Sequence, residues 1–176
     1  MGFISPVSGN HSIRYQNRWM WITPSGIPRY NLKTSDLVKV NLETGLSWGK
    51  LKPSIEWQMH RTIYNVMKNT NAIVHTHSPY TIAVSISADF QHVIEEAKIV
   101  VGDPVVIPNK PSGSVELAKV VSQAFLNGAT VVIIKNHGVV AVGKDIDAAR
   151  AIIESLEEWA KILTISKIFG GPKDLL

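Results

Sequence analysis

The stretch "TVVIIKNHGVVAVG", residues 130–143, consists of two apolar runs on either side of an Asn-His-Gly turn. Short apolar runs that flank a tight turn predict two buried strands paired as an antiparallel hairpin, with His137 at its tip. Helices are predicted on both sides of this hairpin, over 114–128 and 145–170, since each range starts at a good N-cap residue and ends at a glycine.

Further elements are predicted upstream of the hairpin. Apolar residues recur at spacings of three and four in a helical segment, and strand-like runs end in turns rich in Gly, Pro, Ser or Thr. These patterns predict two short strands within 9–26, a strand within 36–45, a helix over 55–69 and a strand over 71–77. Helices separated by hairpin-linked strands predict a single α/β domain spanning 1–176, with a mostly antiparallel central β-sheet between helical layers.

Composition excludes several classes of protein. The chain has 176 residues, 45% of them hydrophobic and 18% charged, as in an ordinary globular domain. It contains no cysteine, so disulfides and thiolate metal sites are excluded. No apolar run approaches membrane-spanning length and no secretory leader is recognisable, which predicts a cytoplasmic protein with no membrane partner.

The net charge of +4 raises the question of nucleic-acid binding. The basic residues are scattered, however, and form neither a Lys/Arg-rich run nor a regular alternation with aromatic residues. We therefore expect no nucleic-acid partner. A mild basic excess also suits an anionic small substrate.

Three histidines and a glutamate are candidates for a metal-dependent active site. His75 and His77 are two residues apart in a predicted strand, so their side chains point to the same face roughly 7 Å apart. They could converge on one metal ion or have no shared role. His137 is either an ordinary turn residue or a third ligand, and three histidines with an open position form a common catalytic zinc site. Glu56 is either an acid/base or a first-turn acid stabilised by the helix dipole.

Three small turns are candidates for anion binding. They are "SGN" at 8–10, "TPSG" at 23–26 and "KPS" at 52–54, the last at a predicted helix N-terminus. Backbone N–H groups and hydroxyls in such turns commonly bind phosphate. Among the remaining histidines, His60 and His92 are interpreted as structural or solvated, and His11 as a possible substrate contact.

Five motifs, in this order and at these approximate spacings, resemble the class II aldolase/adducin family, and within it the fuculose-phosphate aldolases. They are "SGNHSIR", "ITPSGIP", "KPSIEWQMHRTIY", "AIVHTHSPYTIAVS" and "KNHGVVAVG". The resemblance covers nearly the whole chain and implies a class II aldolase-like fold.

The resemblance also implies the roles of individual residues. His75, His77 and His137 would bind Zn²⁺ or another divalent cation, and Glu56 would be the catalytic acid/base. The phosphate of a small substrate would be bound by Gly9, Asn10, Ser25, Gly26 and Ser54.

The implied activity is that of a metal-dependent aldehyde-lyase. It would cleave a small phosphorylated ketose, similar to fuculose 1-phosphate, into dihydroxyacetone phosphate and an aldehyde through a metal-stabilised ene-diolate. Alternatives within the family are a sugar-phosphate 4-epimerase and a methylthioribulose-phosphate dehydratase. A non-catalytic, adducin-like scaffold module is the alternative outside enzymology.

The chain departs from the family pattern at three places. Ile55 stands where a second phosphate-pocket serine is common, and Asn109 stands where a tyrosine from a neighbouring subunit often donates a proton. The family's leading helix is expected to be absent.

The resemblance implies a homotetramer with sites near subunit boundaries, where Tyr80 or Tyr30 could replace the donor. Surplus apolar surface would support it: Trp19, Trp21, Trp48 and a stripe on the last helix formed by Ile152, Ile153, Leu156, Trp159, Ala160 and Leu163.

Overall fold

The computed structural model describes residues 8–173. Eight strands and five α-helices follow one another along this part of the chain. The strands are β1 (Asn10–Tyr15), β2 (Trp19–Ile22), β3 (Val38–Asn41), β4 (Ser47–Trp48), β5 (Ala72–Thr76), β6 (Val105–Ile107), β7 (Val131–Ile134) and β8 (Gly138–Gly143). The helices are α1 (Trp57–Val66), α2 (Pro79–Ser87), α3 (Glu95–Val101), α4 (Val115–Leu126) and α5 (Ile146–Ile168).

The strands form one sheet in the order β4-β3-β2-β1-β5-β8-β7-β6. Neighbours are antiparallel except β6 and β7, which are parallel. The predicted hairpin is present as β7 and β8, and β8 pairs with β5 so that His75 lies opposite Val140. The predicted fold class, an α/β domain with a mostly antiparallel sheet, is confirmed.

Alternation along the central strands directs side chains to two separate cores. In β7, Val132 and Ile134 belong to a cluster with α1 and α4, whereas Val131 and Ile133 belong to a cluster with α2, α3 and α5. Because both faces are covered, the central strands are apolar throughout, and all five residues of β5 are buried.

The predicted helix caps are present. Ser114 accepts a hydrogen bond from the Leu117 N–H, and Asp145 accepts one from the Ala148 N–H. The region between residues 78 and 113, for which the sequence analysis predicts no element, contains α2, α3 and β6. These elements are short, and α2 has apolar residues around most of its circumference, so the periodic signal is weak.

One interpretation of α5 is wrong. In the stripe assigned to a subunit interface, all residues but Ile152 are buried inside the same chain, and Ile152 packs against that core. The stripe is wide because α5 contacts α2, α3, β5 and β8 together. Its width therefore does not indicate a second subunit. Among the tryptophans, Trp48 is 49% exposed and Trp19 packs edge-on against it.

No helix within residues 8–173 combines the length and apolar character that crossing a bilayer requires. The expectation about a missing leading helix concerns residues before Ser8 and lies outside the described residues.

Candidate metal centre and active site

Three histidine rings meet at one end of the central strands. His75 is in β5, His77 follows that strand directly, and His137 is in the turn between β7 and β8. Because β5 and β8 are neighbours in the sheet, the β7–β8 turn lies beside the end of β5. Each pair of ring centroids is 5.0 Å apart, and one nitrogen from each ring lies within 4.8 Å of the others.

Local contacts fix the orientation of these rings. His75 is fully buried, and its Nδ1 donates to the Val139 carbonyl at 3.0 Å, which leaves the Nε2 lone pair for a ligand. That Nε2 lies 3.2 Å from Nε2 of His77. A side chain at Gly138 would overlap the Thr76 carbonyl and press on both rings, so glycine is required for the turn to approach this closely.

The electrostatic environment keeps all three rings neutral. Burial lowers the pKa of His75 well below its usual value, and nearby His137 and His77 add to the effect. Burial also lowers the pKa of His77, and it lowers the pKa of His137 to about 4, with His77 contributing. Neutral imidazoles offer lone pairs rather than protons at pH 7. His137 Nδ1 is buried and has no hydrogen-bond partner within residues 8–173. The three residues therefore fit a divalent cation such as zinc.

Glu56 lies between this cluster and the loop before α4. It occupies the N-cap position of α1 and is 3% exposed, so it is not a solvated first-turn acid. Its Oε1 accepts from the Gly113 N–H at 3.2 Å and lies 3.8 Å from Nε2 of His137. Burial raises the pKa of Glu56, and Gly113 and Ser112 partly oppose this. A carboxyl group with a raised pKa beside a metal cluster is suited to proton transfer.

The predicted anion-binding turns surround a single cavity of about 150 Å³. The second and third turns are joined by a bridge between Pro24 and Pro53, with Ser54 N–H donating to the Thr23 carbonyl. Nearly all predicted site residues line this cavity, whereas His75 lies buried behind it. The lining residues predicted from the sequence are Gly9, Asn10, Ser25, Gly26, Ser54, Glu56, His77 and His137.

Two residues that the sequence analysis missed also line the cavity, Arg29 and Ser112. The Arg29 guanidinium donates to the carbonyls of Gly9, Pro24 and Ile27, so it connects the first two turns. The only hint in the sequence is a basic residue three positions after the "TPSG" turn. Among the described lining residues, Arg29 is the only arginine or lysine.

Other predicted contacts are not brought to the cavity. Within the described part of the chain, His11, Tyr30, Tyr80 and Asn109 are absent from its lining, whereas Ile55 contributes to it and is 60% exposed. Burial lowers the pKa of His11 to about 4, and nearby Arg29 adds to this. Tyr30 is 76% exposed. Neither tyrosine donates a proton to this cavity from within the same chain in the observed arrangement.

The sequence and the fold both match known proteins. A profile described as "Class II Aldolase and Adducin N-terminal domain" matches residues 1–164. An L-fuculose phosphate aldolase of Methanococcus maripaludis is 41% identical over 155 residues, which cover 88% of this chain and 83% of the relative. A 5-deoxy-D-ribulose 1-phosphate aldolase of Bacillus thuringiensis is 31% identical over 98% of this chain and 81% of its own length.

Two further similarities extend this set. A 3-oxo-tetronate 4-phosphate decarboxylase of Haemophilus influenzae is 34% identical over 92% of this chain and 79% of its own length. The crystal structure of an L-fuculose-1-phosphate aldolase from Thermus thermophilus superposes with a TM-score of 0.87 and 28% identity, covering 99% of this chain and 91% of the other. The chain belongs to the class II aldolase/adducin family.

Proposed function

We propose that this protein is a metal-dependent aldehyde-lyase that cleaves a small phosphorylated ketose, similar to fuculose 1-phosphate, into dihydroxyacetone phosphate and an aldehyde. One observation carries the proposal. A single cavity of about 150 Å³ is lined by two histidines of the metal cluster, by Glu56 and by the anion-binding turns. Metal, acid/base and phosphate contacts are thereby available to one small substrate.

His75, His77 and His137 would hold the metal, and Zn²⁺ is favoured by a set of three neutral imidazoles. When bound, a divalent cation supplies a Lewis acid for the ketose carbonyl and the charge that develops beside it. The hydrogen bond from His75 to the Val139 carbonyl keeps the ligand nitrogen of that ring deprotonated and correctly oriented.

Glu56 would add or remove the proton at the carbon beside the carbonyl. In a retro-aldol cleavage the hydroxyl group of the departing half gives up its proton to a base, the carbon–carbon bond breaks, that half leaves as an aldehyde, and the remaining carbon takes up a proton. The Gly113 N–H fixes one carboxylate oxygen of Glu56. The other, Oε2, is buried and accepts no hydrogen bond from residues 8–173, so it is available for the transferred proton.

The three turns would hold the phosphate group of the substrate. Gly9 has a φ of +75°, and a side chain there would come within 2.5 Å of the His75 carbonyl oxygen, so the first turn can approach the metal ligands only with glycine. Hydroxyls from Ser25 and Ser54 and the charge of Arg29 complement an anion. Fixing the phosphate sets the distance from the reacting carbons to Glu56.

Other activities share the same ligands. One relative is named for a decarboxylase acting on a 4-phosphate, and an epimerase or a dehydratase would use the same cluster and acid/base. We favour the aldolase because relatives matching 88% and 98% of this chain are named for aldolases acting on phosphorylated ketoses. A scaffold module is disfavoured. A buried carboxylate and buried ring nitrogens that have no hydrogen-bond partner within residues 8–173 reduce stability, and a scaffold would gain nothing from them.

We also infer a homotetramer in which a neighbouring subunit completes the pocket. The proposal rests on the family resemblance and on the lack of a tyrosine in the described cavity lining. A second subunit could then supply the missing group that takes the hydroxyl proton as the aldehyde forms and that donates it back in the reverse, aldol direction.

The decisive experiment incubates zinc-loaded protein with a panel of ketose 1-phosphates and measures dihydroxyacetone phosphate with a coupled dehydrogenase. The panel includes fuculose 1-phosphate and 5-deoxyribulose 1-phosphate. A parallel assay with 3-oxo-tetronate 4-phosphate measures carbon dioxide. Release of triose phosphate supports the aldolase. If 3-oxo-tetronate 4-phosphate releases carbon dioxide and no ketose releases triose phosphate, the decarboxylase replaces the aldolase as the proposed function.

A further inference from the structure

A buried series of side-chain hydrogen bonds leads from the cavity into the space between β1 and α1. Asn10 Oδ1 is 2.6 Å from His60 Nε2, His60 Nδ1 is 2.7 Å from Ser12 Oγ, and Ser12 Oγ is 2.9 Å from Tyr64 Oη. All four residues are at most 5% exposed. The strand period of two places Asn10 and Ser12 on one face, and the helical spacing of four places His60 and Tyr64 on one face.

The directions of these hydrogen bonds follow from the orientation of the Asn10 amide. With the amide oxygen of Asn10 facing the ring, Nε2 of His60 carries a proton and donates it. Burial lowers the pKa of His60 to about 3, so the ring is neutral and Nδ1 is an acceptor. Ser12 must then donate its hydroxyl proton to Nδ1. Tyr64 Oη then shares its single proton between the Ser12 carbonyl at 3.0 Å and Ser12 Oγ at 2.9 Å.

This arrangement has a consequence for the cavity. The terminal torsion of asparagine is broad and roughly two-fold, so a free amide can present either its oxygen or its NH₂ group. An amide oxygen facing the cavity would repel a phosphate, whereas the NH₂ group would donate to it. Because His60 holds Oδ1, the remaining NH₂ group is the one left for the cavity that Asn10 lines.

We propose that His60, held as the Nε2–H tautomer by Ser12, is a positioning residue that directs the amide NH₂ of Asn10 toward the substrate phosphate. The proposal rests on the proposed function, because it assumes that the anion in the cavity is a phosphate group. It assigns to His60 a role in substrate selection: the ring favours phosphorylated substrates over free sugars without touching either.

The test compares two substitutions of His60. The amide nitrogen of Gln can replace Nε2 as a donor to Asn10, whereas Leu has similar bulk and no donor. We expect His60→Leu to weaken binding of inorganic phosphate, measured by calorimetry on zinc-loaded protein, by about tenfold or more, as for one lost hydrogen bond to an anion. His60→Gln should stay within about threefold of wild type. His92→Leu, at a ring paired with Asp103 outside the cavity, controls for replacing a histidine.

Two further measurements do not depend on the folding of His60→Leu. Nitrogen NMR of the wild-type protein should show His60 protonated at Nε2 and not at Nδ1. Ser12→Ala removes the hydroxyl while Tyr64 keeps its bond to the backbone carbonyl, and it should also weaken phosphate binding and raise KM for the phosphorylated ketose more than it lowers kcat.

Several outcomes would overturn the proposal: a proton on Nδ1, unchanged phosphate binding in folded His60→Leu, or equal losses in the Leu and Gln variants. Failure of the proposed function has a different signature. If no ketose phosphate is cleaved while phosphate binding still follows the expected order of the variants, the positioning role stands and the aldolase does not.

Discussion

Oε1 of Glu56 lies 3.8 Å from Nε2 of His137, and both side chains are almost fully shielded from solvent. The acid/base candidate and a metal-ligand candidate are therefore neighbours, although 80 positions of sequence separate them. The same oxygen of Glu56 accepts from the Gly113 N–H. The carboxylate is held by the loop before α4 and faces the cavity in a fixed orientation.

Glu56→Gln should abolish most of the turnover without destabilising the protein. Loss of an acid/base typically lowers kcat by about 10²–10⁴-fold. Burial raises the pKa of Glu56. The wild-type protein therefore loses stability as pH rises from the ordinary pKa of glutamate through the higher pKa of Glu56 in the folded state, because the buried carboxyl group becomes charged. Glutamine remains neutral and avoids this loss. We expect the melting temperature of Glu56→Gln at pH 8 to equal or exceed that of wild type.

Coupled-assay kinetics and thermal melts check both parts of this prediction, with Glu158→Gln on the exposed side of α5 as a matched control. Normal turnover of Glu56→Gln would remove Glu56 from the mechanism. A much lower melting temperature would show that the charge supports the fold.

His77→Ala should eliminate the metal ion. His77 is half-buried, unlike His75, so its removal should leave the fold intact. Two remaining imidazoles bind zinc far more weakly than three. Elemental analysis should find about one zinc per wild-type chain and much less in the variant, while His92→Ala retains the wild-type amount. Full stoichiometry in His77→Ala would refute the assignment of the three ligands.

The metal-free protein should lose stability in acid, in part through His60. Folding lowers the pKa of His60 from 6.5 in the unfolded chain to about 3. The neutral ring therefore contributes stability that is complete above pH 6.5 and is lost as pH falls toward the pKa of the folded state. In this window one such group changes the free energy of unfolding by about 1.4 kcal/mol per pH unit. Urea denaturation at pH 7 and pH 5 should therefore show a shallower pH dependence for His60→Gln than for wild type. Identical dependence in both would mean that His60 is not kept neutral by the fold.

Arg29→Met should impair phosphorylated substrates selectively. The guanidinium supplies charge to the cavity and joins the turns at Gly9 and Pro24. We expect kcat/KM to fall about tenfold or more for a ketose phosphate, as for a lost charge-assisted contact, and to change little for the free sugar. Lys50→Met removes an exposed charge outside the three turns and serves as the control.

Steady-state kinetics on both substrates decides the point. Wild-type protein should strongly prefer the phosphorylated form, because the polar groups of buried Asn10 and Ser54 lose their partner when the anion is missing. Equal efficiency on the two substrates would show that the anion-binding turns around Asn10, Ser25 and Ser54 have been misinterpreted.

The parts of this protein that sequence reasoning identified are those with local signals. The hairpin around His137, the capped helices α4 and α5, and the His75–His77 pair each depend on residues close together in the chain. Contacts between distant segments gave no such signal. Gly113 on Glu56 and Arg29 on Gly9 follow from the packing of loops, and α5 has a wide apolar stripe because it packs against four elements at once.

The tetramer is the remaining prediction, and its structural basis differs from the sequence argument. The stripe on α5 that includes Trp159 and Leu163 is used inside the chain. A different set of apolar residues is exposed at the end of that helix: Ile162 (42%), Ile165 (40%), Ile168 (78%) and Phe169 (79%). The three isoleucines are spaced three residues apart, so they lie close together along the helix surface. Exposed apolar groups clustered in this way commonly mark an interface.

Light scattering at micromolar concentration should therefore give four times the mass of one chain, and the double variant Ile165→Asp/Ile168→Asp should give a smaller species. If the neighbouring subunit completes the pocket, dissociation should also remove activity, while zinc stays bound because His75, His77 and His137 come from one chain. Replacing exposed Ile99 on α3 by Asp tests whether any added surface charge has the same effect. A monomer mass for fully active wild-type protein would defeat both the tetramer and the shared site, since every catalytic group would then have to come from a single chain.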